Sequence, residues 1–335
     1  MADEKAGSFH YGGQAVIEGV MMRGKKHFAV ACRRLDGSIE STAEPIEGTI
    51  LGRLKWLNKP FLRGTLMLVD SLFLGMKSLM WAANLAMADE EAKNPPKKAK
   101  KAAPKPVEAV DCPPGDVECE ERAVKGSKVT EIALGATMFI SLGLAVVIFM
   151  MLPALITKLA LPGENTATIW RGMLEGGIKL AFLFLYIWGI SHWKDIRRVF
   201  EYHGAEHKVI NAFEAGEELT PPNVQKHTTV HVRCGTSFLL VVIFVSIIVF
   251  MAISWDSWLI RVAYKLVLLP FVAGIAYEII KFAGNRKDSW FMKLLLGPGL
   301  LMQRITTQQP SDEQVEVAIK SFQCVREMEE EAVSH

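Results

Sequence analysis

Apolar positions fall in blocks along the 335-residue chain rather than spreading evenly through it. Four windows, at about 131–156, 169–190, 237–255 and 259–282, each hold roughly 18 to 24 mostly apolar residues, enough at about 1.5 Å per residue to cross a bilayer. They predict two transmembrane hairpins, 131–190 and 237–282. Residues 60–87 form a further apolar segment, interrupted by Arg63, Asp70, Lys77 and Asn84, each seven residues after the last. That spacing draws a narrow polar stripe along a helix, and three charges within it disfavour a fifth crossing. An amphipathic helix lying on the membrane surface or packed against the bundle is expected.

The remaining segments read differently. Residues 9–50 alternate short β-prone runs with glycine-containing turns, and "LDGS" carries a hairpin signal, so a small β-rich module is expected. Residues 88–127 are rich in Lys, Glu, Pro and Ala and almost free of large apolar side chains. Such a segment cannot bury enough surface to offset its ordering entropy and reads as a disordered linker; its basic run has attraction to anionic lipid as a second reading. In the C-terminal segment, 283–335, Ser311 and Gln314 form a capping-box pattern ahead of Val315, Ala318, Ile319, Phe322 and Val325 at helical spacing. The fold class is therefore a mainly α polytopic membrane protein with about four transmembrane helices, an amphipathic helix, the β-rich module and a polar loop region at 191–236.

Charge sets the orientation. A formal net charge of only +2 argues against a nucleic-acid binder driven by bulk charge. The opening "MADEKAGSFH" lacks the apolar core of a signal peptide. Lys125 and Lys128, then Lys194, Arg197 and Arg198, then Lys281, Arg286 and Lys287 all fall on one side of the four spans, with Lys158, Arg261 and Lys265 as exceptions. The positive-inside rule places both termini and the 191–236 loop in the cytoplasm. Cys32, Cys112, Cys119, Cys234 and Cys324 all lie in segments assigned there, so reduced thiols are expected.

Five of the eight histidines fall between positions 192 and 231. "EYHGAEHKVI" sets His203, Glu206 and His207 in the order H-x-x-E-H, and "KHTTVHVRCGTSF" sets His227, His231 and Cys234 just before the third span. Histidines four apart on a helix stand one above the other and can present two imidazoles to one ion. Glu206 lies on the same side, placed to act as a base on a water held by that ion, as in the inverzincin order of the motif. The second cluster supplies the further ligand that H-x-x-E-H lacks, and an extended "HTTVH" would also point its two imidazoles the same way. Thiolate and imidazole favour zinc among the divalent metals. The bland alternative makes His203, Glu206, His207, Asn211 and Glu214 the solvated face of a helix that packs through Ile210 and Phe213. Within the apolar windows, Glu175 and Lys265 fall at similar depth, which predicts an intramembrane pair, structural or lining an ion path.

The stretches "GGQAVIEGVMMRG", "FEYHGAEHKVINAFEAGEELT", "HTTVHVRCGTSF" and "PGLLMQRITTQQP" resemble the YqhQ-like bacterial membrane proteins, a family of unknown function often labelled as metal-dependent enzymes. The resemblance spans most of the chain outside 88–127 and the extreme ends. It implies a bacterial cytoplasmic membrane location, metal chemistry without a named reaction, and a pattern covering His203, Glu206, His207, His227, His231, Cys234 and the Gly13, Gln14, Glu18, Arg23 stretch. Where the family text reads more like "HPRC", this chain has Val232, which leaves every candidate ligand in place. Gln14, Glu18 and Arg23 are expected either to roof the metal site and hold an anionic substrate group through Arg23, or to be exposed polar residues of the β-module. Three functions compete: a membrane metallohydrolase with Glu206 as base; a scaffold with a structural metal that recruits a cytoplasmic protein partner or a second copy; and a small transporter using Glu175, Lys179 and Lys265.

Overall fold

The computed structural model describes residues 11–46, 62–93, 137, 140–161, 168–231, 234–251, 258–284 and 290–334. Four strands, β1 (Gly12–Val16), β2 (Gly19–Arg23), β3 (His27–Arg33) and β4 (Ile39–Pro45), form an antiparallel meander in chain order. The turn between β3 and β4 is the "LDGS" segment, with Gly37 at φ +89°, a conformation glycine adopts without a Cβ penalty. The β1–β2 connection instead places Glu18 at φ 51°, unusual for a residue with a side chain. Its carboxylate compensates by receiving both Nε and Nη2 of Arg198, on a helix far along the chain.

Both faces of the sheet are covered. Val20, Met22, Ala29 and Ala31 point to one face, onto Tyr202, Ala205 and Val209 of α4 (Lys194–Glu214) and onto Val315, Ala318 and Phe322 of α9 (Asp312–Ser334). Val16, Met21, Phe28, Val30 and Cys32 point to the other, onto Leu74, Trp81, Ala82 and Leu85 of α1 (Leu62–Lys93). Period-two alternation thus carries apolar residues on both sides of β2 and β3, which is why they read as near-continuous apolar runs. The capping box forms as its spacing predicts: Ser311 N–H donates to Gln314 Oε1 (2.9 Å) and Gln314 N–H to Ser311 Oγ (3.3 Å).

Apolar helices follow: α2 (Ile140–Ala160, with a π-helical turn at Val147–Met151), α3 (Thr168–Ile190), α6 (Gly235–Met251) and α7 (Trp258–Gly284). A short α5 (Pro221–Val224) lies between α4 and α6, and α8 (Trp290–Thr306) precedes α9. Among the described residues, four helices are long and apolar enough to cross a membrane: residues 64–93 of α1, α2, 169–190 of α3, and 263–282 of α7. The predicted third span, 237–255, is the 17-residue α6, apolar throughout. Helix α1 runs through Lys93, so residues 88–93 of the expected linker are helical; the rest of that linker, with Cys112 and Cys119, lies outside the described residues.

A candidate metal centre on helix α4

Helix α4 follows α3 after a brief turn and carries the H-x-x-E-H residues, Glu206 and His207 buried and His203 half-buried. His207 is 1% exposed and Glu206 4%. The solvated-face alternative therefore does not hold for these two residues. Gly204 sits where α4 meets the backbone of residues 306–310: a Cβ there would collide with Gln308 O, and Gln308 N–H donates to Phe200 O (2.9 Å).

Both imidazoles are oriented by backbone carbonyls. His203 Nδ1 lies 3.0 Å from Thr306 O and His207 Nδ1 lies 2.5 Å from Thr229 O. A carbonyl only accepts, so each Nδ1 carries a proton, and in the neutral imidazole the lone pair is then on Nε2. The rings stack edge to face with centroids 4.5 Å apart, and His203 Nε2 lies 3.2 Å from Cys234 Sγ. Among the described residues, His203, His207 and Cys234 form a group whose ligand atoms all lie within 4.8 Å of one another. Cys234 immediately precedes α6, and Thr236 directs its N–H (3.5 Å) and its hydroxyl (3.3 Å) at the sulfur. Carbonyl-anchored imidazoles and a sulfur facing a helix N-terminus are the outer-shell arrangements that orient metal ligands.

Glu206 stands beside this group, with Oε2 3.5 Å from His207 Nε2. It accepts a hydrogen bond from the Gly13 N–H of β1, and burial pushes its carboxyl up to about 7. The close approach requires glycine at 13, since a Cβ would meet Met21 O at 2.5 Å and Glu206 Cγ at 2.9 Å.

The second histidine pair is split. His231 lies close to the group, its ring centroid 5.7 Å from that of His207, with its Nε2 3.7 Å from Glu214. The His227 ring turns to Glu217, 3.2 Å away. The segment between them is neither strand nor helix because α4 grips its carbonyls. Lys208 Nζ donates to Gln225 O (2.8 Å) and His227 O (2.7 Å), Asn211 Nδ2 to Thr228 O (2.8 Å) and Val230 O (3.1 Å), and His207 to Thr229 O. Sequence reasoning missed these gripping residues. It also missed Gln303 of α8, whose amide takes both the N–H (2.8 Å) and the C=O (2.9 Å) of His231 and bonds Ser237 Oγ (2.8 Å).

The other candidates lie elsewhere. Gln14 packs against Gly75 of α1, Arg23 donates to Ser71 Oγ of α1 (3.0 Å), and Glu18 holds Arg198 and accepts from Tyr202 Oη (3.3 Å). They join the sheet to its flanking helices, and only their neighbour Gly13 touches Glu206. Between α3 and α7, Lys265 Nζ and Lys179 Nζ (2.9 Å) share Glu175 Oε1, and both ammonium groups stand over the Phe250 ring at 5.9 and 5.6 Å.

Residues 59–328 match the family described as "Protein of unknown function (DUF1385)". The chain is 36% identical over 323 residues to the protein named "Uncharacterized protein YqhQ" of Bacillus subtilis (strain 168), covering 93% of this chain and 91% of that one. No solved structure matches. The chain is thus a membrane protein with apolar candidate spans, and it belongs to the DUF1385 family.

Proposed function

We propose that the chain is a metal-dependent hydrolase of the bacterial cytoplasmic membrane, with both termini and the H-x-x-E-H site on the cytoplasmic side. The observation that carries this reading is the convergence of His203, His207 and Cys234, with both Nδ1 atoms already committed to carbonyls. Two imidazoles and a thiolate make a donor set suited to zinc, and three protein ligands leave a fourth position open. A divalent ion held there supplies Lewis acidity and lowers the pKa of a water toward about 7. Glu206, buried beside the three candidate ligands, would serve as the base that takes up a proton and returns it to a leaving group. His231, 5.7 Å from the His207 ring, is the reserve ligand. His227, turned to Glu217, needs the gripped segment to rearrange before it can join.

A second reading, a structural metal that locks the sheet–helix domain to the bundle, draws support from burial: His207 and Cys234 are 1% and 7% exposed. One set of variants separates the two. Purified wild-type protein should carry about one divalent ion per chain by mass spectrometry, and His203→Ala/His207→Ala should carry none. Glu206→Gln should keep the metal and the thermal midpoint while losing hydrolysis of a fluorogenic peptide mixture in proteoliposomes. Metal-free but fully folded wild-type protein refutes the centre. Metal-loaded wild-type protein that is inactive, and destabilised by chelation, leaves the structural reading standing.

A further inference from the structure

Helix α1 is long and apolar enough to cross a bilayer, yet its surroundings exclude a crossing. From Ser71 to Asp89 one side of it is fastened to the sheet. Arg23 donates to Ser71 Oγ, Lys77 pairs with Glu44 of β4, Arg34 donates to Asp89 (2.9 Å), and Leu74, Ala82 and Leu85 complete the second sheet face. A helix that crossed over this stretch would drag a sheet with an open edge and several ion pairs into hydrocarbon, where unsatisfied backbone groups cost several kcal/mol each.

Counting crossings gives the same answer independently. The sheet precedes α1 and packs in one core with α4, so the chain between residues 46 and 194 crosses the membrane an even number of times. Residues 47–61 and 94–127 contain no apolar run of about 18 residues, which leaves α1, α2 and α3 as the possible crossings. Helices α2 and α3 pack side by side, with Phe149 and Tyr186 rings 6.0 Å apart, and both expose apolar side chains along their lengths. They are the pair, and α1 is the helix left over.

The side of α1 turned away from the sheet is not polar. Leu72, Phe73, Met76, Leu79, Met80 and Met87 are all exposed, and at 3.6 residues per turn they fall within an arc of about 120°, nearly opposite Gly75, Ser78, Ala82 and Asp89. The N-terminal end of α1 lies directly on the membrane helix α7, near the middle of its 263–282 span: Thr65 Oγ1 donates to Pro270 O (2.7 Å), and Gly64 abuts Tyr277. The exposed apolar arc is therefore continuous with the bundle surface that faces lipid. We infer that α1 slopes from the middle of the bundle to the membrane surface without crossing, its Leu72-to-Met87 arc sunk in the lipid of one leaflet and the sheet riding on its opposite side. The bilayer is then a floor for the β-module as well as a solvent for the spans, and this holds whether or not a metal occupies α4.

Depth measurement tests it. A nitroxide carried on a genetically encoded ketone side chain is placed singly at positions 72–87 of the full-length protein in phosphatidylcholine–phosphatidylglycerol vesicles. Oxygen and nickel-chelate accessibilities are then read by spin resonance. The expected result is a 3.6-residue oscillation in the oxygen-to-nickel ratio, with maxima at 72, 76, 79, 80 and 87 that all lie within one leaflet, at depths no greater than about 15 Å of hydrocarbon and changing by well under 1.5 Å per residue. A crossing helix would instead shift depth by about 1.5 Å per residue, or about 22 Å from 72 to 87, and overturns the inference. Low accessibility to both reagents along the arc also overturns it, because it places a protein surface, such as a second copy of the chain, where lipid is expected.

Discussion

Replacing Gly204 by alanine tests the close packing on which the candidate centre depends. A glycine inside a helix costs about 1 kcal/mol relative to alanine, so with free space the substitution should stabilise α4. Space is absent: the new Cβ would lie far inside contact distance of Gln308 O, a backbone atom that cannot swing aside as a side-chain tip could. Overpacking of this kind costs about 1–3 kcal/mol, and a backbone obstacle puts it at the upper end. Subtracting the propensity gain leaves a net loss of about 2 kcal/mol, a fall in thermal midpoint on the order of 4 °C. The displaced strip holds Thr306, whose carbonyl orients His203 Nδ1, so divalent-metal affinity should fall by about 10- to 100-fold even though no ligand has changed. Unfolding in detergent followed by intrinsic fluorescence gives the first number, and competition with a chromogenic chelator gives the second. Gly177→Ala, inside α3 where a Cβ meets nothing within 4 Å, is the control and should stabilise the protein by up to about 1 kcal/mol. A Gly204→Ala protein as stable as wild type, with unchanged metal affinity, would refute both the close approach and the role given to Thr306.

Lys208→Met removes two charged hydrogen bonds to Gln225 O and His227 O and should cost about 2 kcal/mol, seen as a lower thermal midpoint and faster proteolysis between 225 and 230; unchanged cleavage there counts against the gripping account. Burial pushes the Cys32 thiol up to about 12 from 9.0, so its neutral form is favoured in the fold. That preference leaves stability unchanged below pH 9 and erodes it as pH rises from 9 toward 12, and iodoacetamide at pH 8 should label Cys324 well before Cys32, which mass spectrometry of digests will show. Lys265→Met takes one ammonium from Glu175 but leaves it Lys179, so it should destabilise the bundle by about 1.5–3 kcal/mol. A cycle with Glu175→Gln should return a coupling of at least about 1 kcal/mol, whereas additive losses would remove the pair from the account.

Elements that rest on local spacing were legible in the chain. The capping box, the "LDGS" turn, the apolar windows and the placing of His203 and His207 on one side of a helix all follow from contacts between residues a few positions apart. The covering of the second sheet face by α1 was not legible, because a strand buried on both faces and a helix with two apolar sides each lack the alternation that reveals a partner. The same limit explains the H-x3-H pair at 227 and 231. Pairing by spacing assumes regular backbone, and regular backbone assumes that carbonyls find partners within the segment. Here Lys208, Asn211 and His207 supply those partners from across the fold, so the backbone turns its carbonyls to α4 and its two imidazoles point to Glu217 and toward His207.

That competition for carbonyls also explains how the site is built. Lys208 is polar yet 2% exposed, a position that is costly for an ammonium group without partners. The two carbonyls it binds offset that cost, and they belong to the segment that presents Thr229 O to His207. On the other side, the Gln303 amide fixes both backbone groups of His231 while Thr306, less than one turn further along α8, presents its carbonyl to His203. The segment that carries Thr229 O is thus held by the buried Lys208 of α4, while Thr306 O is presented by α8 itself, whose Gln303 fixes the backbone of His231. Two backbone carbonyls take the two Nδ1 atoms and leave the Nε2 atoms turned to Cys234 and Glu206. A buried histidine pair needs its Nδ1–H groups satisfied whatever its role; a pair that served only to pack would not need a sulfur within reach of both rings, and that is the physical ground for proposing that "HGAEH" bears ligands.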